Sequence, residues 1–158
     1  GATSHKDSMG NAGDIKPGEW QLMSAGTGVR HSEINQYDED VHLFQIWIIP
    51  NVKDAEPTYQ QIQLDPKDAP NQWHLIAGPN ENAPMHLRQD AEVKTAVLEA
   101  GQSLDVNKTQ TFNYIHVVEG EVEIAGQIVK TGDALMFDEN STVKANQNTQ
   151  MIWFDLPR

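Results

Sequence analysis

Short runs of alternating apolar and polar residues recur along the chain, separated by clusters of Gly, Pro, Asn and Asp. Successive side chains of a strand point to opposite faces of a sheet, so such alternation predicts half-buried strands. Helical periodicity is weak throughout, and the runs are rich in β-branched and aromatic residues. The pattern predicts an all-β protein with strands at residues 20–24, 29–33, 42–49, 72–77, 92–98, 112–118, 121–124, 134–137, 142–145 and 151–155.

One long segment without strand character divides the chain. Residues 50–71 include Pro50, Pro57, Pro66 and Pro70, and proline has no amide hydrogen to give to a sheet. We expect an extended linker over residues 56–71, with one domain over residues 1–55 and a second over residues 72–158.

A short internal repeat supports this division. Residues 16–23, KPGEWQLM, align with residues 130–137, KTGDALMF. In both, a glycine that can adopt positive φ and an acid that can bond nearby amides come just before a strand. In the second half a hairpin precedes the repeat, with its turn at residues 119–120. The first half has no matching incoming strand, and residues 5–11 are interpreted as a longer connection. We therefore expect the first half to form a β-barrel that is incomplete.

Charge and composition exclude several classes of partner. The 158 residues include 11 basic and 23 acidic side chains, which give a net charge of -12. This charge repels phosphate backbones and anionic lipids, so we expect no nucleic-acid and no membrane partner. The apolar run at residues 41–50 is too short to cross a bilayer. The chain has no cysteine, which excludes disulfides and thiolate chemistry and favours the cytoplasm.

The first candidate site is the pair His31 and Glu33. They stand two residues apart in a predicted strand, so they share a face where an imidazole and a carboxylate could bind one metal ion. The spacing fits an ordinary exposed or hydrogen-bonded polar pair equally well, so both interpretations stay open at this point. We interpret His5 as a turn residue near the start of the chain and His42 as a core or interface histidine. His86 and His116 are interpreted as structural.

Three stretches together carry a resemblance to a known family: DSMGN at residues 7–11, KPGEWQLMSAGTGVRHSE at 16–33 and LFQIWI at 43–48. The chain resembles the pirin family of the cupin superfamily, in particular its bacterial quercetinase-like members, in order from about residue 5 to residue 157. The resemblance implies two double-stranded β-helix (cupin) barrels, with one metal, usually iron, in the N-terminal barrel. It also implies the ligand set, which combines a His-x-His pattern with a His-x-Glu pattern.

Only the second pattern occurs in this sequence, as His31 and Glu33. The resemblance implies that both are metal ligands and that Glu33 also helps to deprotonate a substrate hydroxyl. It places the other strands of the first barrel and the His-x-His pair upstream of Gly1. We therefore expect an incomplete site that binds Fe(II) or another divalent first-row metal weakly.

By resemblance, the activity would be that of a metal-dependent dioxygenase that opens a flavonol such as quercetin, with a flavonoid-like small molecule as substrate. The aromatic side chains of Trp20, Phe44, Trp47 and Trp73 could line such a pocket, although core packing is a simpler explanation. The alternative is a non-enzymatic binding or assembly module, or an inactive truncated relative. Because an open barrel exposes strand edges and apolar faces, we also expect a homodimer or a higher homo-oligomer.

Overall fold

A computed structural model describes all residues 1–158, and its regular secondary structure is almost wholly β-strand, which confirms the all-β prediction. The chain forms one 3₁₀ helix, Pro66–Asp68, and no helix with the length and apolarity that a membrane crossing requires. The strands are β1 Thr3–Asp7, β2 Ala12–Ile15, β3 Glu19–Ser24, β4 His31–Ile34, β5 Thr58–Gln63, β6 His74–Gly78, β7 Met85–His86, β8 Glu92–Leu98, β9 Ser103–Val106, β10 Phe112–Glu119, β11 Glu121–Ile124, β12 Gln127–Lys130, β13 Ala134–Phe137, β14 Ser141–Ala145 and β15 Thr149–Leu156.

The strands form two compact units. Unit 1 comprises Gly1–Asp65 and Leu87–Gln89, and unit 2 comprises Pro66–His86 and Asp90–Arg158. Unit 2 contains a six-stranded sheet in the order β13-β10-β15-β8-β6-β7 and a four-stranded sheet in the order β12-β11-β14-β9. Apart from the parallel β6–β7 pair, neighbouring strands in these sheets are antiparallel, as short alternating runs predict.

An apolar core fills unit 2. Alternate residues of β10 and β11 point inward, and the buried cluster comprises Ala96, Leu98, Val106, Ile115, Val117, Val122, Ile124, Val129, Val143, Ala145, Met151 and Trp153. The buried polar side chain of Asn113 is satisfied within this core. Its Oδ1 accepts a hydrogen bond from Trp153 Nε1 at 2.9 Å, and its Nδ2 donates to Glu139 O at 2.9 Å. The core of unit 2 is therefore apolar, and its buried amide side chain has hydrogen-bond partners.

The internal repeat forms the same turn twice, as predicted. Gly18 and Gly132 have φ values of 79° and 84°, the left-handed region that glycine adopts without strain. The acid after each glycine accepts a backbone hydrogen bond three residues upstream, from Lys16 N to Glu19 Oε2 at 2.6 Å and from Lys130 N to Asp133 Oδ2 at 3.3 Å. The acids thus cap the turns that lead into β3 and β13.

Gly120 makes the turn between β10 and β11. Its φ is 101°, and a Cβ atom there would collide with Thr149 Oγ1 and lie 2.5 Å from the backbone oxygen of Asn148. Gly126 joins β11 to β12 with a φ of 74°, and open space surrounds its Cβ position. Both turns need left-handed backbone, but only the first also needs the absence of a side chain.

Unit 1 holds two small sheets. The first has the order β2-β1-β4, and the second pairs β3 with β5. In the first sheet His5 lies opposite Gly13 on one side and Glu33 on the other. In the second, Gln21 lies opposite Gln61, and Met23 lies opposite Tyr59. The buried residues of these strands, Thr3, His5 and Asp7, are polar or ionisable, in contrast to the apolar core of unit 2.

Three sequence predictions about unit 1 are wrong. Residues 42–49 form no strand, because their backbone groups pair with no other strand and apolar alternation alone cannot supply a partner. The segment expected as a strand-free linker over residues 56–71 contains β5, which pairs with β3 along its whole length. The connection expected over residues 5–11 begins as β1, which forms a hairpin with β2.

Candidate metal centre

Strands β1 and β4 bring three potential metal ligands together in unit 1. Their antiparallel register places His5 opposite Glu33 and Asp7 opposite His31. Opposed residues of paired strands share a face, as do residues two apart along one strand. His5, His31 and Glu33 each offer one ligand atom, and these atoms all lie within 4.8 Å of one another.

The structure brings the predicted pair together. His31 Nδ1 lies 3.9 Å from Glu33 Oε1, so the two side chains do share a face of β4. Their side chains are partly exposed, 30% for His31 and 24% for Glu33, so a small molecule can reach both. Their function as ligands stays a prediction.

The third member of the group, His5, was predicted to be a turn residue, and this prediction is wrong. His5 lies in the middle of β1 and is only 3% exposed. Its Nδ1 lies 3.8 Å from Glu33 Oε1, and its ring stacks on Tyr59 with the centroids 4.7 Å apart. Its Nε2 lies 3.1 Å from Asp7 Oδ2. Stacking on Tyr59 and the hydrogen bond with Asp7 therefore fix the orientation of the His5 ring.

Asp7 is an ionised acceptor at the end of β1. Its Oδ1 accepts from the amides of Met9 and Asn11, and its Oδ2 accepts from Asn11 Nδ2 at 2.9 Å. Burial acts to raise the pKa of Asp7, but the hydrogen bonds from Asn11, His5 and the two amides outweigh it and lower the pKa to about 2. At neutral pH Asp7 can only accept hydrogen bonds, including the one that it shares with His5.

Glu33 is positioned by Gln21 on β3. Gln21 Nε2 donates to Glu33 Oε1, while Gln21 Oε1 is buried without a hydrogen-bond partner. Burial raises the pKa of the neighbouring Tyr59, and the negative charges of Glu33, Asp7 and Glu19 raise it further. The phenol therefore stays protonated, and it donates to Gln61 Oε1 at 2.7 Å. The surroundings of this phenol are anionic, which favours a cation nearby.

Comparison with known proteins identifies the family to which the chain belongs. The Pirin family model matches residues 1–48, and the model of the quercetinase C-terminal cupin domain matches residues 75–156. Quercetin 2,3-dioxygenase of Escherichia coli strain K12 is 37% identical over 162 residues, which cover 99% of this chain and 69% of that protein. The chain belongs to the pirin family. The resemblance found in the sequence and the cupin fold are thereby confirmed.

Solved structures agree with this pirin-family fold. The E. coli pirin YhhW, crystallised in complex with nickel(II), is 33% identical with a TM-score of 0.91, over 99% of this chain and 69% of that one. The GK1651 protein of Geobacillus kaustophilus is 25% identical with a TM-score of 0.84, over 99% of this chain and 71% of that one.

The side chains of this pirin-family site fit a divalent first-row metal. Two imidazole nitrogens and a carboxylate oxygen are the donors that such metals take in proteins. Two ligands of one metal lie at most about 4.2 Å apart, since each bond is about 2.1 Å long. The separations from Glu33 Oε1, 3.8 Å to His5 and 3.9 Å to His31, fall within this limit, and all three ligand atoms lie within 4.8 Å of one another. His5 Nδ1 is also a buried atom without a hydrogen-bond partner, as an unbound ligand atom would be.

The sequence analysis missed His5, Asp7, Gln21 and Tyr59 as members of this site. One available signal was the alternation of Thr3, His5 and Asp7, which are the three buried residues of β1. The others come from strand register, which links residues far apart in the sequence.

The remaining candidates lie outside the metal-ligand group. His42 is exposed rather than buried in a core, and its ring contacts Phe44 at 5.1 Å between centroids. Trp47 is 87% exposed, so core packing does not explain it. In unit 2, Trp73 packs against Trp153, and His74 Nε2 lies 2.7 Å from Ala69 O. His86 and His116 also belong to unit 2 and are not part of the group.

Proposed function

We propose that this pirin-family chain carries part of a metal-dependent dioxygenase that opens a flavonol such as quercetin. In this proposal His31 and Glu33 bind Fe(II) or another divalent first-row metal. The observation that carries it is the convergence of His5, His31 and Glu33 within 4.8 Å. The names of the relatives support the substrate class. Because the chain spans 69% of the E. coli enzyme, the activity of that whole enzyme reaches this chain only as a proposal.

A bound first-row metal would supply Lewis acidity and a centre for chemistry with O₂. Glu33 would accept the proton of a substrate hydroxyl, which its position beside the metal-binding nitrogens allows. Gln21, by donating to Oε1, fixes the direction in which the carboxylate faces. Tyr59 stays protonated and does not compete for that proton.

The test measures quercetin consumption with added Fe(II) under air. We expect no measurable consumption by this chain alone, because only one of the two ligand patterns implied by the family is present. Consumption should return when the upstream part of the E. coli relative is joined before Gly1, and His31→Ala should abolish it there. An extended protein that binds metal stoichiometrically but leaves quercetin intact would contradict the dioxygenase proposal. Turnover by the short chain, lost in His31→Ala, would show that the upstream ligands are dispensable.

A second candidate function, a non-enzymatic binding or assembly module, is supported by a different observation. Residues 43–52 expose six large apolar side chains to solvent, namely Leu43, Phe44, Ile46, Trp47, Ile49 and Val52. Large apolar side chains exposed together in one segment are typical of interaction sites. A protein that binds no metal but forms stable assemblies through these side chains would favour this candidate.

The flavonoid-like substrate, the homo-oligomeric state, the cytoplasmic location and the lack of nucleic-acid and membrane partners stay predictions. Only the oligomeric state bears on the choice between the two candidates, because assembly through the exposed apolar side chains is what the second one requires.

A further inference from the structure

The ring of His5 presents a ligand atom that nothing in the protein uses. Its side chain is 1% exposed, and its Nδ1 has no hydrogen-bond partner. A buried polar atom left unpaired is costly, so it usually indicates a missing water, ion or ligand. This nitrogen lies 3.8 Å from Glu33 Oε1, on the face that also carries His31.

Asp7 determines which nitrogen of His5 carries the proton. The carboxylate accepts from Met9 N, Asn11 N and Asn11 Nδ2, and a carboxylate can only accept hydrogen bonds. The contact between Asp7 Oδ2 and His5 Nε2, at 3.1 Å, therefore requires that Nε2 donate. In the neutral imidazole the other nitrogen, Nδ1, then keeps its lone pair.

We propose that His5 is a metal ligand through Nδ1, beside His31 and Glu33, and that Asp7 is the positioning residue that holds this tautomer. A carboxylate that accepts the distal N–H of a ligating histidine is a recurrent arrangement in metal sites. Two histidines and one carboxylate form the donor set that many non-haem Fe(II) oxygenases use. The inference rests on the proposed function only for the presence of a divalent metal at this site.

This assignment changes the expected affinity. The sequence supplies two ligands and predicts weak binding, whereas a third ligand brings the site to the three protein ligands that catalytic metal sites commonly have. Stacking of the His5 ring on Tyr59 at 4.7 Å reduces the freedom that binding would otherwise have to remove. We therefore expect this chain to bind one divalent ion per chain and to retain it during dialysis.

Isothermal titration with Co(II) alone, at neutral pH, tests the assignment on the full chain. His31→Ala and Glu33→Gln should abolish binding, and His5→Ala should weaken it by more than about 100-fold. Asp7→Asn should weaken it by about 10- to 100-fold, the usual effect of losing such a partner. His42→Ala is the matched control, because His42 is exposed and outside the group, and it should leave the affinity unchanged.

Asp7→Asn has a second expected effect that loss of packing would not produce. The new amide can donate toward Nε2, so the proton of His5 should move to Nδ1, the atom that binds the metal. Ring nitrogen resonances of ¹⁵N-labelled protein report the tautomer directly. In the wild-type protein His5 should carry its proton on Nε2, and diamagnetic Zn(II) should shift the Nδ1 resonance while the Nε2 proton remains. This measurement needs no variant at His5, so a folding failure of His5→Ala does not remove the test.

The outcomes separate this inference from the proposed function. Binding that depends on His31 and Glu33 but is unaffected by His5→Ala, with no Zn(II)-induced shift at His5, overturns the His5 assignment and leaves the metal proposal standing. A His5 ring protonated on Nδ1 in the wild-type protein overturns the function assigned to Asp7. No binding of Co(II) or Zn(II) by the wild-type chain overturns the His5 assignment, whereas the proposed function is decided by quercetin consumption in the extended protein.

Discussion

Asp14 shows how a single carboxylate can organise the outer side of the β2-β1-β4 sheet. Its Oδ1 accepts from Ser4 Oγ at 2.6 Å, and its Oδ2 accepts from Tyr37 OH at 2.6 Å. These two hydrogen bonds lower the pKa of Asp14, against a smaller opposing effect of burial. The folded pKa therefore lies below the unfolded value of about 3.9.

A carboxyl with a lowered folded pKa stabilises the protein above its unfolded pKa, and this contribution is lost as the pH falls through the folded pKa. We predict that Asp14→Asn lowers the free energy of unfolding above pH 5. The difference from the wild-type protein should shrink as the pH falls below about 4. Urea unfolding at a series of pH values measures it. Asp38→Asn, at an exposed position, is the control and should show no such trend. A difference that is the same at every pH would contradict the prediction.

At the level of single residues, the sequence could predict part of the candidate metal site. His31 and Glu33 stand two apart on one strand, so their proximity follows from strand geometry alone. The inclusion of His5 does not, because it depends on the pairing of β1 with β4, which places His5 opposite Glu33, 28 positions further along the chain. Register of this kind is a property of the folded sheet.

The same contrast appears at the level of whole strands. The predicted bounds 121–124 and 134–137 coincide with β11 and β13, because these strands pack one face against an apolar core. In unit 1 the hydrophobic pattern does not indicate β1, β2 or β5. The sequence of β5, TYQQIQ, places polar side chains on both faces. A strand that lines a polar site does not alternate in hydrophobicity, so the hydrophobic pattern that predicts core strands cannot predict such a strand.

Among the turns between strands, Gly120 has the strictest requirement. We predict that Gly120→Ala lowers the free energy of unfolding by about 2 kcal/mol or more, because a methyl group there meets Thr149 and Asn148 in addition to the left-handed backbone. Gly126→Ala carries only the backbone cost, about 1 kcal/mol, since its surroundings are open. Thermal and urea unfolding of the two variants gives the comparison. Equal losses at both positions would show that the collision with Thr149 is relieved without cost.

For the molecule as a whole, the apolar side chains of residues 43–52 predict self-association. Trp47 and Ile49 are 87% and 84% exposed, so burying them against a second copy is favourable. The net charge of -12 opposes association, and added salt should therefore promote it.

We predict that the double variant Trp47→Lys, Ile49→Lys lowers the average mass seen by light scattering in a dilution series. Its free energy of unfolding should change by less than about 0.5 kcal/mol, because both positions are exposed. Ile128→Lys, at a 51% exposed apolar position in unit 2, serves as the control and should leave the mass unchanged. A wild-type protein with the mass of one chain at every concentration and salt level would refute self-association.

Leu87–Gln89 belong to unit 1 although they follow Pro66–His86 of unit 2 in the sequence, and this affects the order in which unit 1 folds during synthesis. Gln89 donates to Ile49 O, Arg88 O accepts from Asn51 N, and the Arg88 guanidinium donates to Glu56 O. Residues 66–89 must therefore leave the ribosome before residues 49–56 acquire these bonds, which takes about one to five seconds at typical elongation rates. Hairpins form within microseconds. A nascent chain thus has time to form β1 to β5 before the hydrogen bonds from Leu87–Gln89 can form. During that interval the exposed apolar side chains of residues 43–52 are available for binding by a chaperone.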